Sequence, residues 1–318
     1  ESVMRILVSL IVLAVTALMS LFLGRASFSL GLSDPLYRDI VLDWRLPRVI
    51  AAALVGGALS AGGAVLQTSF RNPLVSPDLL GVSAGAGLGA VLAMYFGASH
   101  GIVILAAFTG ALLAVLISSL AAAFAGRASV LSLVLSGVIV SAFAGACLSL
   151  TLLLLDPAKA LHGMMFWLTG SLSMAGSGQL PWLAALVLVP LLLIVLSSFR
   201  LRILLLGDGG TALSGVDPKR SRLWFILLAS LMTAAAVSVS GIIGWVGLCA
   251  PHLARMLSGK ASALVPLSFT SGAIILLVCD DASRCLFPGE IPVGLMTAVI
   301  GAPAFILIMR RYGRQSQA

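Results

Sequence analysis

The sequence predicts an all-α polytopic membrane protein, with about ten transmembrane helices and both termini cytoplasmic. The prediction rests on an extreme apolar composition, long uncharged runs and a lopsided distribution of basic residues. Of 318 residues, 60% are AVILMFWYC and only 9% are DEKR. Soluble domains average about 45–50% apolar and about 25% charged residues. So few charges cannot cover the outside of a water-soluble fold. A soluble enzyme, a disordered chain, a coiled coil and a disulfide scaffold are all excluded on that ground.

A helix needs about 20 mainly apolar residues to cross the hydrocarbon core. Uncharged runs at 6–24, 49–70, 79–99, 101–126, 130–155, 179–199, 223–241, 243–257, 261–279 and 293–309 define the spans. The first, behind Arg5, is long enough for a retained span rather than a signal peptide. From Leu223 to Ala254 there is no Asp, Glu, Lys or Arg, yet Gly241, Gly244, Gly247 and Pro251 interrupt the stretch. It reads as a hairpin with a short, irregular second member. A single long tilted helix is the alternative.

Basic residues collect on the cytoplasmic side of membrane proteins. An even number of crossings places Arg5, Arg71, Arg127, Arg200, Arg202, Lys219, Arg220, Arg222, Arg255, Lys260 and the tail Arg310, Arg311 and Arg314 inside. Arg25, Arg38, Arg45, Arg48, Lys159 and Arg284 then fall outside. An odd count would move either the tail or the 200–222 cluster to the wrong side. Residues 1–318 thus form one transmembrane domain. Its outer connections are 25–48 and 156–178, and its largest cytoplasmic connection is 200–222.

No span centre carries a charge, whereas ion-coupled carriers use intramembrane acids or histidines as relays. Asp280 and Asp281 stand at the outer end of a span, and His252 lies near the interrupted one. Gly259-Lys260 is followed by Ala261, so no P-loop is present. No HExxH, nucleophile elbow or paired-carboxylate site is found, and no catalytic residue, cofactor or metal ligand set is assigned. No basic stripe with interleaved aromatics points to nucleic acid. Cys147, Cys249, Cys279 and Cys285 form no CxxC pair and read as small buried hydrophobes. Uphill transport by such a chain must draw its energy from a partner.

Small residues line helix faces: Gly56, Gly57, Ser60 and Gly63 on one, Gly81, Gly85 and Gly89 on another. Such spacing lets backbones approach closely in lipid. Arg45-Leu46-Pro47-Arg48 precedes a span, with Pro47 at the helix entry. Its arginines either snorkel to the interface or form a cation pair for acidic groups of a partner. Gln67, Arg71-Asn72-Pro73-Leu74 and Ser76-Pro77-Asp78 make a two-proline turn. Gly207 to Gly215, flanked by basic residues, is either a solvated loop or a socket for a soluble cytoplasmic protein.

Together these segments resemble the permeases of bacterial ABC importers for iron–siderophores, haem and cobalamin. The resemblance is carried by Arg45-Leu-Pro-Arg48, Gln67 with Arg71-Asn-Pro-Leu74, and Pro77-Asp78 through Gly85. Further along come Phe166 to Ser171, Gly244 to Arg255, Asp280 to Arg284, and Glu290 through Pro303. These appear in family order over about residues 40–310. The resemblance implies a permease in the bacterial inner membrane, pairing with a second permease subunit as a homo- or heterodimer. Two cytoplasmic ATP-binding subunits would bind beneath it, and a periplasmic substrate-binding protein would deliver cargo from outside.

The resemblance assigns docking of the binding protein to Arg45, Arg48 and Arg284. It assigns ATPase coupling to Gly207, Asp208, Thr211, Ala212, Leu213 and Gly215, and pathway or gating positions to Gln67, Asn72, Pro73, Ser136 and Gly137. The pathway is expected along the small-residue faces of 49–70, 79–99 and 130–155. Where the family has an alanine pair, this chain has Gly210-Thr211, and Gly209 and Gly210 each weaken a helix by about 1 kcal/mol. The coupling helix is therefore expected to start late or fray. Ferric siderophore is the favoured cargo, then haem or cobalamin. A small metal or oxyanion importer of the same family, or a stand-alone secondary carrier, is the alternative.

Overall fold

The computed structural model describes residues 1–24, 38–124, 130–154, 161–258, 261–286 and 289–315. Arg25, Arg127, Lys159 and Lys260 lie outside these, as do residues 25–37 of the first outer connection and 156–160 of the second. In chain order the helices are α1 Ser2–Phe22, α2 Leu46–Ser69, α3 Val82–Tyr95, α4 His100–Phe124 and α5 Val130–Leu153. There follow α6 Leu161–Leu168, α7 Leu180–Leu196, α8 Ser198–Ile203 and α9 Gly207–Leu213. The last four are α10 Pro218–Ser240, α11 Val246–Ser258, α12 Leu264–Cys285 and α13 Val293–Gln315. No strand occurs among the described residues.

Every run expected to cross the membrane is helical over most of its length. Among the described residues, seven helical stretches are long and apolar enough to cross: Ser2–Phe22, Ile40–Ser69, His100–Phe124, Val130–Leu153, Ser177–Leu196, Pro218–Ser240 and Ala261–Cys285. The rest are shorter. Helix α3 has 14 residues, a rise of about 21 Å against a core of about 30 Å. Helix α11 has 13, and the apolar part of α13 is Val293–Leu307. The long charge-free stretch is broken rather than continuous. Helix α10 ends at Ser240, Gly241 has φ 68°, and α11 starts after Trp245 at φ 69°. Those left-handed backbones are incompatible with one long tilted helix.

Helix α2 is the axis of the molecule, buried along almost its whole length. Its glycines explain how. An added Cβ on Gly56 would strike the backbone of Gly272 on α12, and one on Gly63 the backbone of Gly247 on α11. Gly85 of α3 and Gly110 of α4 meet in the same way. These small-residue faces are crossing points, as lipid packing favours. For 49–70 this corrects the expected pathway lining: the face that bears Gly56, Gly57 and Gly63 is covered by Gly272, Phe269 and Gly247. Gly63→Val is expected to destabilise by about 1–3 kcal/mol through overpacking, read as earlier unfolding in detergent. Gly101→Ala is the control, because an added Cβ there meets nothing.

Among the long described spans, α1 and α5 are covered least by the rest of the chain. Only 6% of α1's apolar window and 17% of α5's is buried within the chain. Leu131, Leu135, Ile139, Phe143, Leu150 and Leu153 stand exposed along α5.

Candidate functional sites at opposite ends of one helix

Helix α2 carries a polar cluster at each end. Its 24 residues separate them by about 36 Å. One end is marked by Arg45 and Arg48, the other by Gln67 and the turn that follows.

At the first end the centre is Asp280, fully buried on α12. Arg48 grips it, with Nε 3.0 and 3.1 Å from the two carboxylate oxygens and Nη2 2.7 Å from Oδ1. Arg284, one turn beyond Asp280, brings Nε to 3.1 Å from Oδ2 and pairs through Nη2 with Asp281. Ser20 of α1 donates to Asp281 at 2.6 Å and accepts from Arg284 Nη2 at 3.0 Å. Glu290 places Oε1 2.8 Å from Arg48 Nη1. Arg45, itself buried, donates from Nη1 to the Leu21 carbonyl at 3.1 Å. Burying so many charges is tolerable only because they compensate one another at hydrogen-bond distance.

The three arginines expected at this end are therefore brought together, but not as loose surface cations. Gly24, Trp44, Arg45, Arg48, Arg284 and Glu290 line an open cavity of about 220 Å³. Trp44 stands 73% exposed on a single π-helical turn, Ile40–Arg45, that enters α2. Such turns often re-aim side chains at functional sites. Trp44 carries no signal in the linear pattern, and Glu290 is visible there only as the first residue of a motif, not as a partner of Arg48. Arg48 and Asp280 are 232 positions apart, so their pairing is visible only in the fold.

At the other end Gln67 is buried, with Nε2 3.4 Å from the Leu248 carbonyl. Asn72 turns the chain, its Oδ1 accepting from the Leu74 amide at 2.9 Å. The Pro73 carbonyl lies 3.1 Å from His252 Nε2 of α11. After the 3₁₀ turn Pro77–Leu80, Ser118 of α4 donates to the Leu80 carbonyl at 3.1 Å. Gly137 of α5 is pressed against the Leu79 carbonyl, leaving no room for a side chain, and Ser136 beside it is buried. Asn72, Pro73, Ser136 and Gly137 thus belong to one turn and the helix seated on it.

Helix α9 begins at Gly207, so the adjacent glycines do not delay it. Thr211 holds its first turn, donating to the Gly207 carbonyl at 2.6 Å and the Ile203 carbonyl at 3.0 Å. Asp208, in the first turn where a carboxylate is favoured, accepts from Arg222 at 2.7 Å. Asp217 caps α10, accepting from the amides of Lys219 and Arg220. Ala212 is exposed, and Leu205, Leu206 and Leu213 present apolar side chains outward, Leu213 at 92% exposure. An apolar patch rimmed by charge is the form of a protein-contact surface.

Long apolar helices with buried polar clusters at both ends of α2 are the architecture of a multi-pass membrane protein. The family model of the FecCD transport family matches residues 3–311, and the chain belongs to that family of the bacterial inner membrane. Relatives include a protein named as an iron chelatin transport system permease of Helicobacter pylori strain 26695, 42% identical. That match covers 86% of this chain and 82% of the relative. The hemin transport system permease protein HmuU of Yersinia pestis is 35% identical, covering 96% of this chain and 95% of the relative. The molybdate import system permease protein MolB of Haemophilus influenzae is 34% identical over 96% and 94%. A solved inward-facing metal-chelate type ABC transporter superposes with a TM-score of 0.90 at 34% identity, covering 96% of this chain and 98% of that one.

Proposed function

We propose that this chain is the transmembrane permease subunit of a binding-protein-dependent ABC importer. It carries a metal chelate, with ferric siderophore favoured and haem or cobalamin next. The observation that carries the reading is the pair of sites at opposite ends of α2 in a FecCD chain. Ten crossings with both termini cytoplasmic put the arginine cluster outside and α9 inside. A periplasmic substrate-binding protein docks on Arg45, Arg48, Arg284 and Trp44. Two cytoplasmic ATP-binding subunits seat on α9 and the exposed leucines beside it. A second permease subunit covers α5, and membrane lipid covers the rest.

In this mechanism the chain catalyses nothing itself. Closure of the ATP-binding subunits moves α9, and the turn at Asn72–Pro73 transmits that movement to α2 and to Gly137 of α5. The pathway between the two permease subunits then opens alternately to each side. The likeness to MolB at 34% identity favours a second reading, a small oxyanion importer on the same frame. The discriminating experiment is ATP-dependent uptake by the reconstituted complex. Ferric siderophore supports the first reading, and molybdate without chelate uptake supports the second.

Two further outcomes follow. Trp44→Ala is expected to weaken binding-protein docking by about 1–2 kcal/mol, since exposed aromatics anchor interfaces. Titration calorimetry of the binding protein against the complex checks it. Glu290→Gln removes the carboxylate that competes for Arg48 and is expected to tighten docking by up to about fivefold, most at low salt.

A further inference from the structure

Helices α4 and α7 flank an open cavity of about 460 Å³ whose lining includes no residue assigned above to docking, coupling or gating. On the α4 side it runs from His100 to Phe108, and on the α7 side from Gly178 to Leu186. Eight positions along a helix span about 12 Å, so the cavity is a groove some two turns long. Its polar side chains are confined to one end. His100 opens α4, and Gln179 closes the 3₁₀ turn that leads into α7. Beyond them the walls are apolar, with Leu105, Phe108, Trp182 and Leu186. Phe108 and Trp182 join the two walls edge to face, ring centroids 6.4 Å apart. Among the described residues, two atoms of the polar end are buried without a hydrogen-bond partner, His100 Nε2 and Gln179 Oε1. Such orphans cost a fold free energy and call for an explanation. No Asp, Glu, Lys or Arg lines the groove among the described residues.

We propose that this groove binds a phosphatidylethanolamine molecule, its headgroup at His100 and Gln179 and an acyl chain along the apolar walls. The Gln179 oxygen can only accept, and a primary ammonium donates to it. His100, in the tautomer that carries the proton on Nε2, donates to the phosphate. The terminal torsions of both side chains are soft, so each group turns to the headgroup without disturbing the backbone. Phosphatidylcholine has no N–H donor and leaves the Gln179 oxygen orphaned. Phosphatidylglycerol brings a net negative charge that no lining cation compensates. A water-soluble ammonium compound would leave the apolar walls wet. Trp182 suits a groove at the bilayer surface, where tryptophan collects. The inference rests on the orientation proposed above only in assigning the lipid to the outer leaflet. Binding in detergent does not depend on ATP-driven transport, so its failure leaves the importer reading intact.

The test is native mass spectrometry of the full chain, freed of bound lipid, in mild detergent. Phosphatidylethanolamine, phosphatidylcholine and phosphatidylglycerol of matched acyl chains are added in turn. Phosphatidylethanolamine is expected to give the dominant adduct. Gln179→Leu and His100→Leu are each expected to weaken it about fivefold. Neither is expected to lower stability in lipid-free detergent, because each removes an unpaired polar atom. Gln179→Glu, which keeps an acceptor for the ammonium, is expected to retain the adduct. Gly101→Leu places a side chain at the polar end, where an added Cβ meets nothing, and is expected to exclude the lipid while the fold persists. Equal binding of phosphatidylethanolamine and phosphatidylcholine, or dominance of phosphatidylglycerol, overturns the proposal. So does an adduct that survives the double variant Gln179→Leu, His100→Leu. Displacement of the lipid by millimolar phosphoethanolamine also overturns it, because the occupant is then a soluble compound.

Discussion

Arg48→Met is expected to lower stability in detergent by about 3–5 kcal/mol, among the largest effects of any single change in the cluster around Asp280. The cause is Asp280. Its side chain has no solvent exposure, and Arg48 supplies three of its contacts at 2.7–3.1 Å. Removing the guanidinium leaves a buried charge with Arg284 as its remaining cationic partner among the described residues. Adding Asp280→Asn removes that charge and is expected to restore much of the loss. Thermal unfolding of the single and double variants decides the matter. Equal stability of Arg48→Met and the parent would mean that Asp280 is satisfied by something other than Arg48. The same reasoning shapes any test of docking. Charge reversal at Arg48 and Arg284 would disturb the fold and the docking surface together, so Trp44 and Glu290 are the cleaner probes.

Gly215→Pro is expected to reduce ATP-driven transport more than tenfold while ATP hydrolysis and the amount of folded protein persist. Gly215 has φ 76°, and its amide donates to the Ala212 carbonyl at 3.0 Å. Proline requires φ near −65° and has no amide hydrogen, a conflict of about 3 kcal/mol or more. About 1.4 kcal/mol already shifts an equilibrium tenfold. The damage stays local because nothing lies within contact of a Cβ at Gly215. It falls on the turn that closes α9 and sets the direction in which Leu213 points. Gly215→Ala, which only disfavours the left-handed backbone, is expected to fall between the two at about 1–2 kcal/mol. Parallel assays of uptake and ATP hydrolysis in proteoliposomes check the series. Normal uptake by Gly215→Pro would place the coupling surface elsewhere.

The helices were legible because a hydrocarbon solvent imposes a simple rule, about 20 apolar residues per crossing. Glycine spacing also marked real crossings, such as Gly56 on Gly272. Spacing alone does not tell a packed face from a pathway face, because both need small residues. That is why the interior position of α2 emerges only in the fold. The break after α10 was readable from Gly241, whose backbone takes the conformation that glycine permits at no cost. Helix α9 was misread for a definite reason. Helix propensity penalises Gly209 and Gly210, but Thr211 and the Arg222–Asp208 pair supply tertiary support that propensity omits.

At the sites, the arginines were visible and their partners were not. Asp280 and Arg284 sit one helical turn apart, so that pairing has a local signature. Arg48 with Asp280 and Ser20 with Asp281 join distant parts of the chain and have none.

The most direct test of the central claim is native mass spectrometry of the tagged chain purified from its own host in mild detergent. The expected result is a particle with two permease subunits and two ATPase-sized soluble subunits. Unequal permease masses would make it a heterodimer within the same reading. A lone chain that in liposomes moves cargo down an ion gradient without ATP would contradict the importer reading.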